Sequence, residues 1–347
     1  MAKIWIISDT HFGVKNNSRR WEELMQGWMD QFFFPLLDNE VGDGDILVHC
    51  GDVFDNRQSV GLSTMSLCIN FFERLTKYFK EMYLLSGNHD AYYTTKNDVT
   101  SLECLKHVPG VKIIKTPLVK NVLGRTMGFI PWTEDRRVFD KIANSDTKPD
   151  VLFCHAEFNG CIMNSYGSKS DNELNVPDIA RIYSGHIHHK HKCGNATYVG
   201  SPYQLTQNDR NNNKCIWTFD PDTLEEHVYF NTYSPEFIRV KYDNINDMTF
   251  GEFKKMCENR FVEIETDYKL MSKCKFQKLI SLVNDNYDIK DMSFYPSKKD
   301  EDDDQDINIS DCVSITEMLD KYIDEMVVCD PATKKSVRMI AKKLVHE

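Results

Sequence analysis

The chain has 347 residues, 41% of them hydrophobic, which is longer than one average domain and enough to bury a real core beside one or two smaller appendages. Its net charge of -11 excludes a protein coated in basic surface, so contact with nucleic acid has to come from local patches or from metal ions bridging to phosphate. Eleven cysteines without a C-x-x-C pair argue against a disulfide framework or zinc knuckle, and no run is long and apolar enough for export or membrane anchoring, so a cytoplasmic protein is expected.

The first predicted element, Lys3 to Ser8, is almost continuously apolar, as befits a strand buried on both faces. It runs into Asp9-Thr10-His11-Phe12-Gly13, so two potential ligands leave the strand end together. From Arg19 to Leu37 the positions Trp21, Leu24, Met25, Trp28, Met29 and Phe32 keep helical spacing and predict a crossover helix. The strand Asp45 to Cys50 then delivers Gly51-Asp52-Val53-Phe54-Asp55. A second helix, Leu62 to Lys80, leads to the strand Glu81 to Leu85 and to Ser86-Gly87-Asn88-His89-Asp90, where glycine permits a sharp turn. Three strand-then-ligand units alternating with helices predict a βαβ layered sheet.

Short strands at 111–115, 119–123 and 126–130 predict a second sheet packed on the first. Asp150 to Cys154 ends in His155-Ala156-Glu157, and Ile182 to Ser184 precedes Gly185-His186-Ile187-His188. Strands at 214–219 and 226–230 read as a hairpin around Asp220-Pro221-Asp222. The expected fold class is α/β, an α+β sandwich with a two-sheet core flanked by helices. A large core domain at 1–235, a small α+β capping domain at 236–298, an acidic linker at 299–310 and a C-terminal helical pair at 311–347 follow in order. The capping domain includes helices at 250–258 and 271–284; the tail helices are at 315–328 and 334–344.

Collected from the strand ends, the candidate metal ligands are Asp9, His11, Asp52, Asn88, His155, His186 and His188. Two carboxylates, one amide and four imidazoles favour manganese, iron or zinc over magnesium. If Asp52 bridges two divalent ions, each receives four protein ligands and open positions remain. Two ions held ~3.5–4 Å apart polarise a phosphoryl group and activate a water. His89 is the leftover imidazole, suited to stabilise the developing charge or protonate the leaving oxygen, with Asp90 as the candidate to orient its ring or to cap the next segment. His49, His107, His189, His191, His227 and His346 are read as ordinary core or surface residues, although the run His188 to Lys192 can also add a local positive field.

Asp9-x-His11, Gly51-Asp52-x-x-Asp55, Gly87-Asn88-His89-Asp90, His155 and Gly185-His186-x-His188, in this order, resemble the calcineurin-like metallophosphoesterase superfamily over roughly the first 230 residues. Within it, Gly51 to Asp55, Ile130-Pro131-Trp132, His155 to Gly160 and Tyr198 to Pro202 resemble the SbcD-type DNA repair and recombination nucleases, in particular their T-even-like phage form. The resemblance implies two ions, usually manganese, one held by Asp9, His11, Asp52 and His188, the other by Asp52, Asn88, His155 and His186. It makes His89 catalytic. It also implies DNA ends, single- or double-stranded, as substrate and an SbcC-type ATPase clasped by the C-terminal helices, with a possible homodimer and no membrane partner. Asp55 departs from relatives that carry a second non-ligand histidine there, so the balance of exonuclease and endonuclease activity does not carry over. Lys254, Lys255, Lys269, Lys273, Lys275 and Lys278 are candidate phosphate contacts, against the simpler reading of solvated helix faces. The competing function is a metallophosphatase or cyclic-nucleotide phosphodiesterase with the same centre.

Overall fold

In β1 (Ile4–Ile7) side chains alternate between two layers, and all four are buried because each layer is covered. The computed structural model describes residues 2–246, 248–266, 291–296 and, near the C-terminus, 334, 335, 337 and 338. Two compact units divide the chain, Met1–Tyr295 and Pro296–Glu347. In the first unit, β1 pairs in parallel with β2 (Ile46–His49), β2 with β3 (Met82–Leu85), and β3 with β4 (Val111–Ile114). A second sheet is built from β5 (Leu118–Val122), β6 (Arg125–Ile130), β7 (Val151–His155), β8 (Arg181–Gly185), β9 (His191–Cys193) and β10 (Ala196–Tyr198), in the order β5-β6-β7-β8-β10-β9. The chain then returns as β11 (Cys215–Phe219) and β12 (Glu226–Phe230), antiparallel strands that extend the first sheet beyond β1.

The two sheets face each other across one core. Ile4, Ile6, Val48, Tyr83 and Leu85 of the first pack with Met127, Phe129, Val151, Phe153 and Tyr183 of the second. The rings of Tyr83, Phe129, Phe153 and Tyr183 form a stacked series with successive centroids 4.9, 5.5 and 5.6 Å apart. Trp5, Ile7, Leu47 and Leu84 point the other way, onto Trp28, Phe33, Phe71 and Phe72 of the crossover helices. The outer face of the second sheet, Leu152, Cys154 and Ile182, is covered by Phe139, Ala143 and Phe158. The result is the expected helix, sheet, sheet, helix layering.

The first crossover helix, Arg19–Trp28, passes through a π turn at Met29–Phe33 before continuing as Phe34–Glu40. Pro35, which lacks an N–H, falls in the first turn after that widening, where the helix tolerates it. The second, Leu62–Leu75, ends five residues earlier than its apolar spacing predicts, because Tyr78 and Phe79 both bond back to the Leu75 carbonyl in a tight turn. Strands β9 and β10 had no signal in the sequence, since three residues each show no period. A third sheet, β13 (Glu236–Lys241), β14 (Arg260–Thr266) and β15 (Asp291–Pro296), lies beyond β12 in the chain. Its helix Phe250–Cys257 opens on a reciprocal Thr249–Glu252 capping box and buries Phe253 and Cys257 against Val262 and Ile264. The expected helices at 271–284 and 315–328 and the acidic linker lie outside the described residues. Of the helix expected at 334–344, residues 334, 335, 337 and 338 are described and are helical.

Candidate metal centre

β1, β2, β3, β7 and β8 all end in a short loop that carries candidate ligands, and hydrogen bonds tie these loops to one another. Asp9 N–H bonds the Gly51 carbonyl at 2.9 Å, His11 N–H the Asp52 carbonyl at 3.1 Å, and His186 N–H the Asp9 carboxylate at 3.1 Å. The backbone is forced to get there. Asp9, His11, Asp52 and His186 have φ of 53°, 47°, 54° and 80°, a left-handed conformation that costs a non-glycine residue of order 1–3 kcal/mol and persists only where the surroundings impose it. Glycine is required where the loops touch: a Cβ on Gly87 would sit 2.2 Å from Asp52 Oδ1, and one on Gly185 would sit 2.1 Å from Ser8 Oγ.

The seven predicted ligands are brought together. Ligand atoms of Asp9, His11 and His188 lie within 4.8 Å of one another, as do those of Asp52, His155 and His186. Asp52 Oδ2 faces both groups, 3.7 Å from His11 Nε2 and 3.3 Å from His155 Nε2. The Asn88 amide oxygen stands 2.9 Å from His155 Nε2 and 3.0 Å from His186 Nδ1.

The donor set fits cations. His155 Nδ1 faces the Cys50 carbonyl at 2.7 Å and donates to it, so Nε2 is the ring nitrogen aimed at the Asp52 and Asn88 oxygens. His11 Nδ1 lies 3.1 Å from the Asp55 carboxylate, leaving Nε2 toward His188 Nε2 at 3.0 Å. Asp9 Oδ2 is buried without a hydrogen-bond partner. Burial alone would lower the His155 pKa, yet the Asp52 carboxylate outweighs it and raises it to about 9. His11 is likewise raised, against burial, by Asp55, Asp52 and Asp9. By contrast, burial and neighbouring His11 push His188 down to about 4. Asp52 is held well below the usual carboxylate range, its burial overcome by His155 and His11. These carboxylates attract positive charge to this spot, which divalent ions would supply.

His89 is joined to neither of the two ligand groups as a whole, but its ring nitrogen lies within 4.8 Å of ligand atoms of His11 and Asp55, a third cluster at the edge of the first. Its N–H donates to Asp52 Oδ1 at 2.8 Å and its Nδ1 lies 2.6 Å from the Asp55 carbonyl, so Nε2 is left for other partners. The orienting group is therefore the Asp55 carbonyl and not Asp90. The Asp90 carboxylate accepts the N–H groups of Val53, Phe54 and Gly87 at 3.2, 2.9 and 2.9 Å and clamps the Asp52 loop to the Asn88 loop. Burial and the nearby Asp52 charge raise its pKa to about 6, against those three donors.

A family model for the calcineurin-like phosphoesterases matches residues 2–190, more than half of the chain and the stretch that carries all seven ligand candidates. The chain belongs to that family. Exonuclease subunit 1 of Enterobacteria phage T4 is 23% identical over 353 aligned positions, covering 99% of each chain. Putative phosphoesterase 244L of Invertebrate iridescent virus 6 is 26% identical, over 58% of this chain and 71% of its own. An archaeal phosphodiesterase of known structure aligns at 15% identity over 66% of this chain and 99% of its own, with a TM-score of 0.35. By its family the protein is a phosphoesterase-type hydrolase, and that family uses divalent metals.

Several residues around this phosphoesterase centre take no role from the sequence alone, although Trp132 lies in one of the motifs that carry the resemblance. Lys214, buried, donates to the His188 carbonyl at 2.7 Å, to Ser201 at 2.9 Å and to Asp209 at 2.7 Å. Tyr203 hydroxyl donates to the Thr10 carbonyl at 2.6 Å, fixing the loop between Asp9 and His11. The Trp132 ring lies over His186 with centroids 5.0 Å apart. Two of the other histidines take structural places: His49 bonds Thr10 at 3.0 Å, and His191 accepts the Ile162 N–H at 2.8 Å. Eight cysteines are described, all free, and among the described residues no helix is long and apolar enough to cross a membrane.

Proposed function

We propose that this chain is a metal-dependent DNA nuclease that hydrolyses phosphodiester bonds in end processing, recombination and repair. Two divalent ions, manganese by preference, are held by Asp9, His11, Asp52 and His188 and by Asp52, Asn88, His155 and His186. The observation that carries the reading is the reach of the likeness to the phage T4 exonuclease subunit. It spans 99% of both chains, well past the family domain that ends at residue 190. A net charge of -11 supports recognition of phosphate through ions more than through a basic coat.

Ions held there supply Lewis-acid polarisation of the phosphoryl group and a lowered pKa for the attacking water. The chain's own residues do the rest. Asp52 offers Oδ2 to both groups while Oδ1 is fixed by the His89 N–H. Cys50 holds the His155 tautomer, and the Asp55 carboxylate stands 3.1 Å from His11 Nδ1, so in both rings the other nitrogen faces inward. His89, its Nδ1 engaged by the Asp55 carbonyl and its ring partly exposed, keeps Nε2 for the developing charge or the leaving oxygen.

Residues 311–347 are assigned to an SbcC-type ATPase partner. Deletion after Asp306 is expected to leave manganese-dependent nuclease activity nearly intact and to abolish co-purification with that ATPase. The functional test is incubation with manganese and either end-labelled duplex DNA or p-nitrophenyl phosphate. Shortening of the DNA with little monoester turnover is expected. Rapid monoester hydrolysis with intact DNA would move the protein to the metallophosphatases.

A further inference from the structure

Glu157 follows His155 by two residues and leaves the end of β7 on the side of His186. Its Oε2 lies 3.3 Å from His186 Nε2, and its other oxygen accepts the Ser170 hydroxyl at 2.5 Å. Both side chains are largely shielded, His186 at 18% and Glu157 at 22% exposure, so water competes weakly for the contact. On the far side of the same ring, Nδ1 points at the Asn88 oxygen, 3.0 Å away, and Trp132 covers one face. Neither oxygen can donate, and the ionised Glu157 carboxylate is a stronger acceptor than the neutral Asn88 amide oxygen, so the ring proton is drawn to Nε2 and Nδ1 keeps its lone pair. Three sides of the ring are then determined by neighbours.

We propose that Glu157 is a positioning residue that fixes the tautomer and orientation of His186, so that Nδ1 is presented to the ion shared with Asn88 and His155. This rests on the reading of His186 as a ligand. Such outer carboxylates raise the basicity of the imidazole and typically contribute 10–100-fold to metal affinity. Ser170 is the anchor that keeps the carboxylate in place. Its loop is tied to the same region, Gly160 N–H bonding the Ser170 carbonyl at 2.9 Å and Ser170 N–H the Cys161 carbonyl at 2.9 Å. The position of the 157–170 loop thus sets the quality of the second ion site.

Two readouts on the full chain test this. The first is nitrogen NMR of the metal-free protein labelled in histidine, with His186→Ala used to assign its signals. A fixed Nε2–H tautomer is expected for His186 in the wild type and in Glu157→Gln, which keeps an acceptor oxygen. Mixed tautomers are expected in Glu157→Ala. The second counts bound manganese by electron paramagnetic resonance. Glu157→Ala should bind one ion as the wild type does and the other about 10–100-fold more weakly, with Glu157→Gln restoring much of the difference. Ser170→Ala, which loosens the carboxylate without touching His186, should shift the same ion in the same direction by less and serves if Glu157→Ala fails to fold. Wild-type affinity for both ions in Glu157→Ala, alongside loss of one ion in His186→Ala, would overturn the role of Glu157 and leave His186 a ligand. Two ions retained in His186→Ala would overturn both.

Discussion

Asp55 grips His11 through its side chain, carboxylate to Nδ1 at 3.1 Å, while its own carbonyl holds His89 at 2.6 Å. One residue thereby sets a candidate ligand and the candidate acid. Burial would raise the Asp55 pKa, but the hydrogen bond from His11 keeps it below the ordinary carboxylate range, so it is ionised when it acts. Asp55→Ala removes only the side-chain half of this arrangement. Manganese titration by calorimetry should show about a 10–100-fold loss at the ion held by His11, and Asp55→Asn, which keeps an acceptor oxygen, should lose less.

We expect His89 to separate chemistry from metal holding, because its Nδ1 is taken by the Asp55 carbonyl at 2.6 Å and its ring stands edge-on to His11 at 4.9 Å. His89→Asn should keep both ions and DNA binding while the rate falls ~10²–10⁴-fold. Parallel metal analysis and single-turnover cleavage check this, and loss of an ion in the variant would recast His89 as a ligand.

Gly87 is a steric prediction. In Gly87→Ala the new Cβ meets Asp52 Oδ1 at 2.2 Å and the Asp52 backbone nitrogen at 2.3 Å, so the Asp52 loop has to move. Manganese binding should be lost along with a drop in melting temperature. Gly251→Ala is the control: it sits in the helix Phe250–Cys257 with nothing within 4 Å of the added carbon, and should raise stability by about 0.5–1 kcal/mol.

The buried Asp209–Lys214 pair, 2.7 Å apart, predicts an acid limb in stability. Burial opposes ionisation of Asp209, but Lys214 and His188 outweigh it and bring the folded-state value from 3.8 to about 2. A depressed carboxylate stabilises the fold above its unfolded value and loses that contribution as pH falls through the folded one. Denaturation between pH 4 and 2 should therefore show ~2 kcal/mol lost that Asp209→Asn does not lose. At neutral pH Asp209→Asn leaves the lysine charge buried and unpaired, and should cost about 3–5 kcal/mol in urea unfolding.

The strand ends were legible because each buried strand is a compact apolar run followed at once by a ligand type, as in Ile4 to Asp9 or Val151 to His155. Two sheets and their flanking helices followed from the same runs. The strand at 111–114, expected in the second sheet, instead pairs with β3 in the first, because an apolar run is a local signal and does not say which sheet it joins. What escaped was everything that acts across the chain. Asp55 lay within a recognised motif, yet its hold on His11 crosses 44 positions and shows no period. Lys214 is only the first residue of a predicted strand until the fold buries it beneath His188, and Glu157 only one position of a motif until Ser170 and His186 close on it. Asp90 was read through its neighbour His89, whereas its carboxylate serves the backbone of a loop 36 residues earlier.

The most direct measurement counts manganese bound to Asp52→Ala and follows its cleavage of end-labelled duplex DNA beside the wild type. Asp52 Oδ2 is the atom that faces both ligand groups, so the account predicts two ions and cleavage in the wild type. In the variant it predicts loss of at least one ion together with loss of cleavage. An Asp52→Ala protein that binds two ions and shortens DNA at the wild-type rate would contradict it.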